Sequence, residues 1–254
     1  MQRAERAGLG SLQPVPEGVE AAGWILAAVR DFDHTVGSLV PPLFAAYARV
    51  FHPARLQQDT ADARDAVQVS WAQVAAANAR RAHAGMQWTS ITGSWRHHHG
   101  GATQPGVWDT EPEEGTLPAA QAQALVDVLT RFTTTPECFY AVWDGFGALD
   151  VPLEAQLVGM PGRDMRLLRG PLAEAAGVSM ESPPWQQSPS LWWPADRTWC
   201  VATDVDLMST YLGASEACIE AVLAAADLEA WPVTDRQGLT WDSDHLNPLP
   251  PQPT

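Results

Sequence analysis

The sequence predicts an α+β fold, with a mostly antiparallel sheet covered by about three helices. Two kinds of segment lead to this prediction. Short apolar or alternating runs typical of strands lie near residues 46–52, 138–143, 165–168 and 198–205. Segments with helical periodicity lie near residues 71–81, 118–132 and 215–226.

The first part of the chain is interpreted from its alternation and its capping residues. Residues 1–17 mix charges with glycine and proline, so we expect a mobile N-terminal segment. Residues 18–33 are expected to hold a short helix. Large and small side chains alternate over residues 46–52, as in a half-buried strand. Ser70 is a suitable N-cap for a helix that ends near Arg81.

The second part begins after a segment rich in glycine, threonine, tryptophan and histidine. This segment, residues 85–115, predicts irregular surface structure with a short strand at residues 86–91. Pro118 suits the first turn of the next helix, and Ser215 caps the last one. Pro194 predicts a turn that precedes the strand at residues 198–205.

The length of 254 residues fits one large domain or two small ones. We expect a single α+β domain over residues 18–246, or two closely packed subdomains that meet near residue 116. Residues 247–254, NPLPPQPT, are expected to form an extended or disordered proline-rich tail.

The composition excludes several function classes. Thirty acidic and fifteen basic residues give a formal charge of −15, which would repel nucleic acids and anionic lipid surfaces. The chain has no lysine, so Schiff-base chemistry and lysine-based phosphate loops are excluded. Its three cysteines are widely spaced, and no segment is typical of a signal peptide or a membrane span. We therefore expect a cytoplasmic protein that binds neither nucleic acid nor membrane.

Common catalytic signatures are missing from the sequence. The hydrolase G-x-S-x-G, the zincin H-E-x-x-H, the dinucleotide G-x-G-x-x-G and the P-loop patterns do not occur. We predict no cofactor and assign no catalytic residue. A catalytic site assembled from residues distant in sequence is still compatible with this absence, so whether the protein is an enzyme stays open.

Four segments resemble an actinobacterial protein family of about this length. They are GSLVPPLFAAYARVFHPA at 37–54, TPECFYAVWDGFG at 135–147, SLWWPADRTWCVATDVDLMSTYLGAS at 190–215 and TWDSDHLNP at 240–248. The family has no assigned activity. The resemblance implies a bacterial, cytoplasmic, single-unit protein and transfers no catalytic residue.

Tryptophan is unusually abundant, with 12 residues in the chain. Such residues are concentrated in cores, in aromatic clefts and at the centres of protein interfaces. Adjacent Trp192 and Trp193 point to opposite sides of an extended segment, so at least one is expected to face solvent, a loop or a partner. The long loop from Trp88 to Trp108 folding over these rings is an equally favoured alternative to a binding surface. The first hypothesis is therefore a non-enzymatic domain that binds another protein. The predicted surface consists of Trp143, Trp192, Trp193, Asp196, Arg197 and Trp199.

The alternative hypothesis is a metal-assisted hydrolase. Asp204 and Asp206 would lie on one face of a strand and present two oxygens to a divalent cation, with a histidine from residues 97–99 nearby. A structural role for these carboxylates is favoured, so no metal site is assigned. Asp242 and Asp244 beside His245 favour a turn or a helix cap, and Arg163, Arg166 and Arg169 favour ordinary salt bridges.

Overall fold

The computed structural model describes residues 10–16, 18–58, 66–93, 103–146, 151–152, 154–160, 162–177 and 187–250. The strands are β1 (Gln13–Pro14), β2 (Ala46–Phe51), β3 (Ala54–Leu56), β4 (Val67–Val69), β5 (Cys138–Trp143), β6 (Leu157–Met160), β7 (Arg163–Gly170), β8 (Leu191–Pro194), β9 (Cys200–Thr203), β10 (Ser209–Ala214) and β11 (Glu229–Val233). The α-helices are α1 (Gly18–Ala28), α2 (Trp71–Ala77), α3 (Trp88–Thr92), α4 (Ala119–Leu129), α5 (Glu174–Gly177) and α6 (Glu216–Leu223). Short 3-10 turns lie at Val36–Ser38 and Thr130–Phe132.

The α+β prediction with a mostly antiparallel sheet is confirmed. Nine strands form one sheet in the order β1-β7-β5-β8-β9-β10-β2-β11, with β6 also paired to β7, and every pairing in it is antiparallel. Strands β3 and β4 form a separate hairpin. The described part of the chain has six α-helices rather than about three.

Both faces of the sheet are covered, so its central strands have no solvent-facing side. One core contains Tyr140, Val201 and Leu212 together with residues of α4 and α6. The core on the other face contains Leu191 and Tyr211 together with residues of α1. Side chains of a strand alternate between the two faces, so neighbouring residues of β8, β9 and β10 enter different cores.

Several predicted elements begin where they were expected, although α2 ends at Ala77 rather than near Arg81. Strand β5 occupies residues 138–143 as predicted. The hydroxyl oxygen of Ser70 accepts a bond from the N–H of Gln73 at the start of α2, and that of Ser215 accepts one from Cys218 at the start of α6. Both residues are the N-caps that the sequence predicted.

Two local predictions differ from the structure. Residues 86–91 were expected to contain a strand, but Trp88–Thr92 is helical and ends at Gly93, whose φ of 70° is the left-handed conformation common after a helix. Pro194 is the last residue of β8, and its carbonyl oxygen accepts the N–H of Arg197 at 2.9 Å, so the turn expected before β9 is present but Pro194 itself still belongs to the strand. A proline at the end of a strand is tolerated because few of the sheet's hydrogen bonds at that position require the backbone N–H that proline lacks.

The two ends of the described chain are more ordered than expected. Residues 13 and 14, inside the predicted mobile segment, pair with Arg169 and Leu168 of β7. Asn247, at the start of the predicted tail, is buried, and its side-chain amide donates to the carbonyl oxygen of Arg81 at 3.0 Å. No helix of the described ranges combines the length and the apolar character needed to cross a lipid bilayer.

Candidate functional site

A pocket of about 190 Å³ lies on the sheet face that α1 covers, where β9 leads into β10. We call it the α1 pocket. Four pieces of chain form it: the region after α1, the β6–β7 hairpin, the start of β8 and the end of β9. Its apolar lining consists of Val29, Phe32, Leu39, Met160, Met165, Leu191, Ala202 and Val205. Its polar lining consists of Ser38, Arg163, Ser190, Thr203 and Asp204.

Arg163 and Asp204 are the charged lining residues of this pocket, and Asp206 contacts Arg163 from outside it. The Nε and Nη2 groups of Arg163 donate to the two oxygens of Asp204, both at 2.9 Å, and Nη2 also donates to Asp206 at 2.7 Å. The side chain of Asp204 is only 6% exposed and that of Arg163 18%, whereas that of Asp206 is 77% exposed. The two-bond contact with Asp204 fixes the plane of the guanidinium.

Neighbouring groups hold this arrangement in place. Asp204 and Asp206 lie in the turn between β9 and β10, where the N–H of Asp206 donates to Asp204 Oδ1 at 3.0 Å. The guanidinium carbon of Arg163 lies 5.1 Å from the ring centre of Trp143, within the range of a cation–π contact. Burial alone would lower the pKa of Arg163, but its bonds to Asp204 and Asp206 raise it above the usual value. Arg163 is therefore a permanent cation.

This geometry does not support the metal-site hypothesis for Asp204 and Asp206. The positive charge that a divalent cation would bring is already supplied by Arg163, which accounts for both oxygens of Asp204. No three His, Cys, Asp or Glu side chains of the described residues come together as metal ligands. Residues 97–99, the histidines of that hypothesis, lie outside the described residues.

The hydroxyl groups of the pocket have different partners. Ser190 Oγ accepts a bond from the N–H of Trp143 at 3.3 Å. Thr203 Oγ1 lies 2.7 Å from Thr210 Oγ1, which in turn lies 2.9 Å from His52 Nε2. Neither histidine nor cysteine lines the pocket within the described ranges.

The predicted tryptophan surface does not exist as a surface. Trp192, Trp193 and Trp199 are 1%, 1% and 0% exposed. Trp192 packs in the core beneath α4, and Trp193 packs in the core beneath α1, because the sheet is covered on both faces. Neither ring of the adjacent pair therefore faces solvent. Of the four tryptophans in the predicted surface, only Trp143 is partly exposed.

Asp196 and Arg197 occupy a turn that follows β8. Asp196 accepts four hydrogen bonds, from the N–H and hydroxyl groups of Thr134 and Thr198. These bonds lower its pKa, although burial acts in the opposite direction. Arg197 is exposed, has a φ of 58° and lines a cleft with Phe139, Trp193 and Arg169. Asp196 is therefore bonded to threonines rather than to Arg197.

The remaining charged motifs, Asp244 near the end of the described chain and the arginines of β7, have the structural roles that the sequence indicated. Asp244 accepts bonds from the N–H groups of Leu246 and Asn247 and contacts His83 Nε2 at 2.9 Å, as expected for a turn residue. Arg166 pairs with Asp144 and Arg169 with Glu137, as the salt-bridge interpretation proposed.

No family model matches the chain, and no curated protein or solved structure matches it significantly. The resemblance to an actinobacterial family stays a prediction.

Proposed function

We propose that the protein is a non-enzymatic binding protein that holds a small, largely apolar molecule in the α1 pocket. The observation that carries this proposal is a cavity of about 190 Å³ with a mostly apolar lining and its hydrogen-bonding groups gathered around Arg163 and Ser190. Pockets of this kind bind ligands through apolar contact and use a few polar groups to orient them. A dry cavity of about 150 Å³ accepts benzene, so this one has room for one ring with a small substituent.

The charges around Arg163 favour a neutral ligand. One guanidinium and two carboxylates leave a net charge of about −1, which opposes an anion. Arg163 Nη1 makes no hydrogen bond to the described residues and has two N–H groups to donate. A carbonyl or amide oxygen would accept them, so a compact aromatic ketone or amide fits the pocket.

Ligand titration followed by NMR tests this proposal, with acetophenone, benzamide and benzoate as probes. We expect the two neutral probes to bind and to shift signals of pocket residues, and benzoate to bind more weakly. Val205→Trp places a large side chain into the pocket from its partly exposed wall and should weaken binding at least about tenfold.

Val67→Trp is the matched control, because Val67 is 44% exposed and does not line the pocket. It should leave binding unchanged. Equal binding to both tryptophan variants, or no binding of any probe, would refute the proposal.

A second candidate function, binding of a partner protein, is favoured by the turn at Arg197. A φ of 58° is unfavourable for a residue with a side chain, and such strain is concentrated at functional sites. The bonds from Thr134 and Thr198 to Asp196 fix this turn, so Arg197 is presented rigidly at the rim of a cleft of about 540 Å³. Trp193 and Phe139 line the same cleft.

Affinity purification of the tagged protein from its native host tests this second function. We expect one protein retained at equal stoichiometry, lost with Arg197→Ala and kept with Arg236→Ala, a control at another exposed arginine. A partner that is retained equally by both variants would place the interface elsewhere, and a protein without any partner would leave small-molecule binding as the function.

A further inference from the structure

A second cleft, lined largely by amide and carboxylate side chains, lies between α2, α4 and the connection from α6 to β11. Its volume is about 460 Å³, and it shares no lining residue with the α1 pocket. We call it the amide cleft. Its polar lining includes Gln68, Gln73, Gln121, Asp127, Asp227 and Glu229.

Gln121 of α4 is the most unusual residue of this cleft. It is only 3% exposed, and its Nε2 donates to Gln68 Oε1 at 3.0 Å. Its Oε1 is buried and has no hydrogen-bond partner among the described residues. A buried acceptor without a donor costs free energy, so each such group in a native protein calls for an explanation. A ligand that donates to this oxygen would remove the cost.

The charges of the cleft are all negative. Asp127 and Asp227 are exposed, and Asp127 uses one oxygen to accept a bond from Gln123 at 2.8 Å. Glu229 accepts bonds from the N–H groups of Trp71 and Ala72, so it caps α2 and offsets the positive end of that helix. No described basic side chain lines the cleft. The ligand that complements this set is a cation that carries hydrogen-bond donors.

We propose that the amide cleft binds an aliphatic diamine or polyamine. One ammonium group donates to Gln121 Oε1, and the carboxylates of Asp127 and Asp227 balance the remaining charge. An ammonium ion has three donors and suits separate acceptors of this type, whereas a divalent metal needs several oxygens converging at a short distance. The volume of the cleft also exceeds that of a single inorganic ion and leaves room for a short methylene chain.

Calorimetric titration of the full chain with putrescine and spermidine at low salt and neutral pH tests the proposal. We expect saturable binding of both. Gln121→Leu keeps the volume of the side chain but removes the acceptor, so the dissociation constant should rise at least about tenfold. Asp227→Asn changes an exposed residue of the cleft and should weaken binding several-fold. It tests the site even if Gln121→Leu does not fold.

Two controls separate a built site from general attraction to an acidic protein. Asp242→Asn removes one exposed charge outside the cleft and should leave binding unchanged. Tetramethylammonium has the charge without N–H donors and should not bind. Equal loss in Asp227→Asn and Asp242→Asn, unchanged binding in Gln121→Leu, equal binding of tetramethylammonium, or no heat with either amine would each overturn the proposal.

Discussion

The adjacent residues Trp192 and Trp193 show how one sheet uses two neighbouring side chains in two cores. Trp192 makes an edge contact with Trp199 at 5.3 Å, and Trp193 stacks on Phe139 at 5.8 Å across the strand pair. Because α1 and α4 cover opposite faces, both rings lose their contact with water. Both are therefore packing residues.

We expect Trp192→Ala and Trp193→Ala each to lower the free energy of unfolding by about 3–5 kcal/mol, the usual cost of removing a large core side chain. Trp241→Ala, at a ring that is 45% exposed, should change it by less than about 0.5 kcal/mol. Urea denaturation followed by circular dichroism measures all three. Wild-type stability in either core variant would place that ring at the surface.

His52 is a buried histidine whose tautomer follows from its partners. The carbonyl oxygen of Glu113, 2.6 Å from Nδ1, can only accept, so Nδ1 carries the proton. Nε2 then accepts from Thr210, and Thr210 accepts from Thr203. Burial is the main cause that lowers the pKa of His52 to about 4. The ring is therefore neutral at physiological pH.

This low pKa predicts a pH-dependent stability. Between about pH 6.5 and pH 4 the unfolded chain binds a proton at residue 52 and the folded chain does not, so stability falls as the pH falls through this window. The loss below pH 4 is on the order of 3 kcal/mol. His52→Gln retains one donor and one acceptor and should remove this contribution, as measured by urea denaturation between pH 4 and pH 7.

Protonation of Glu111 makes stability change with pH in the sense opposite to that of His52. The His52→Gln variant must therefore be compared with the wild type at each pH. Burial, aided by Glu114, raises the pKa of Glu111 to about 7. The folded chain therefore binds the additional proton between about pH 4.5 and pH 7, and this group makes stability fall as the pH rises. The difference between wild type and His52→Gln isolates the histidine. An unchanged difference across the window would contradict the low pKa.

At the scale of elements, local signals were sufficient for some strands and helices and not for others. Two N-caps, Ser70 and Ser215, predicted where α2 and α6 begin, and a short aromatic run predicted the position of β5. These signals suffice because a cap or an apolar run is a property of a few consecutive residues. Strands β8 and β10, in which every residue is buried, were missed, whereas the equally buried β9 was predicted. A strand with two buried faces shows no alternation of apolar and polar residues, and its pairing depends on distant strands.

The candidate site was only partly predictable for the same reason. Asp204, Asp206 and Arg163 were all noted from the sequence, but nothing in it indicated that Arg163 contacts the two carboxylates across 41 and 43 positions. The α1 pocket collects side chains from four separated segments. The buried acceptor of Gln121 is also invisible in the sequence, where the residue is an ordinary member of an amphipathic helix.

At the scale of the molecule, the sheet joins the two halves of the chain. Strand β2, before residue 116, lies between β10 and β11, which both follow it. Its residue Val50 pairs with Thr210 on one side and with Ala230 on the other. The sheet therefore gives no support to two subdomains that meet near residue 116.

The strand order has a consequence for behaviour at high concentration. The outer strands of a sheet can recruit strands from other molecules and so begin aggregation. Here one margin ends in β11, which contains Pro232, and the opposite margin is shared by the four-residue β6 and the two-residue β1, which contains Pro14. A prolyl nitrogen has no hydrogen to offer an incoming chain. Short strands and prolines at both margins thus discourage this protein from extending its sheet into fibrils.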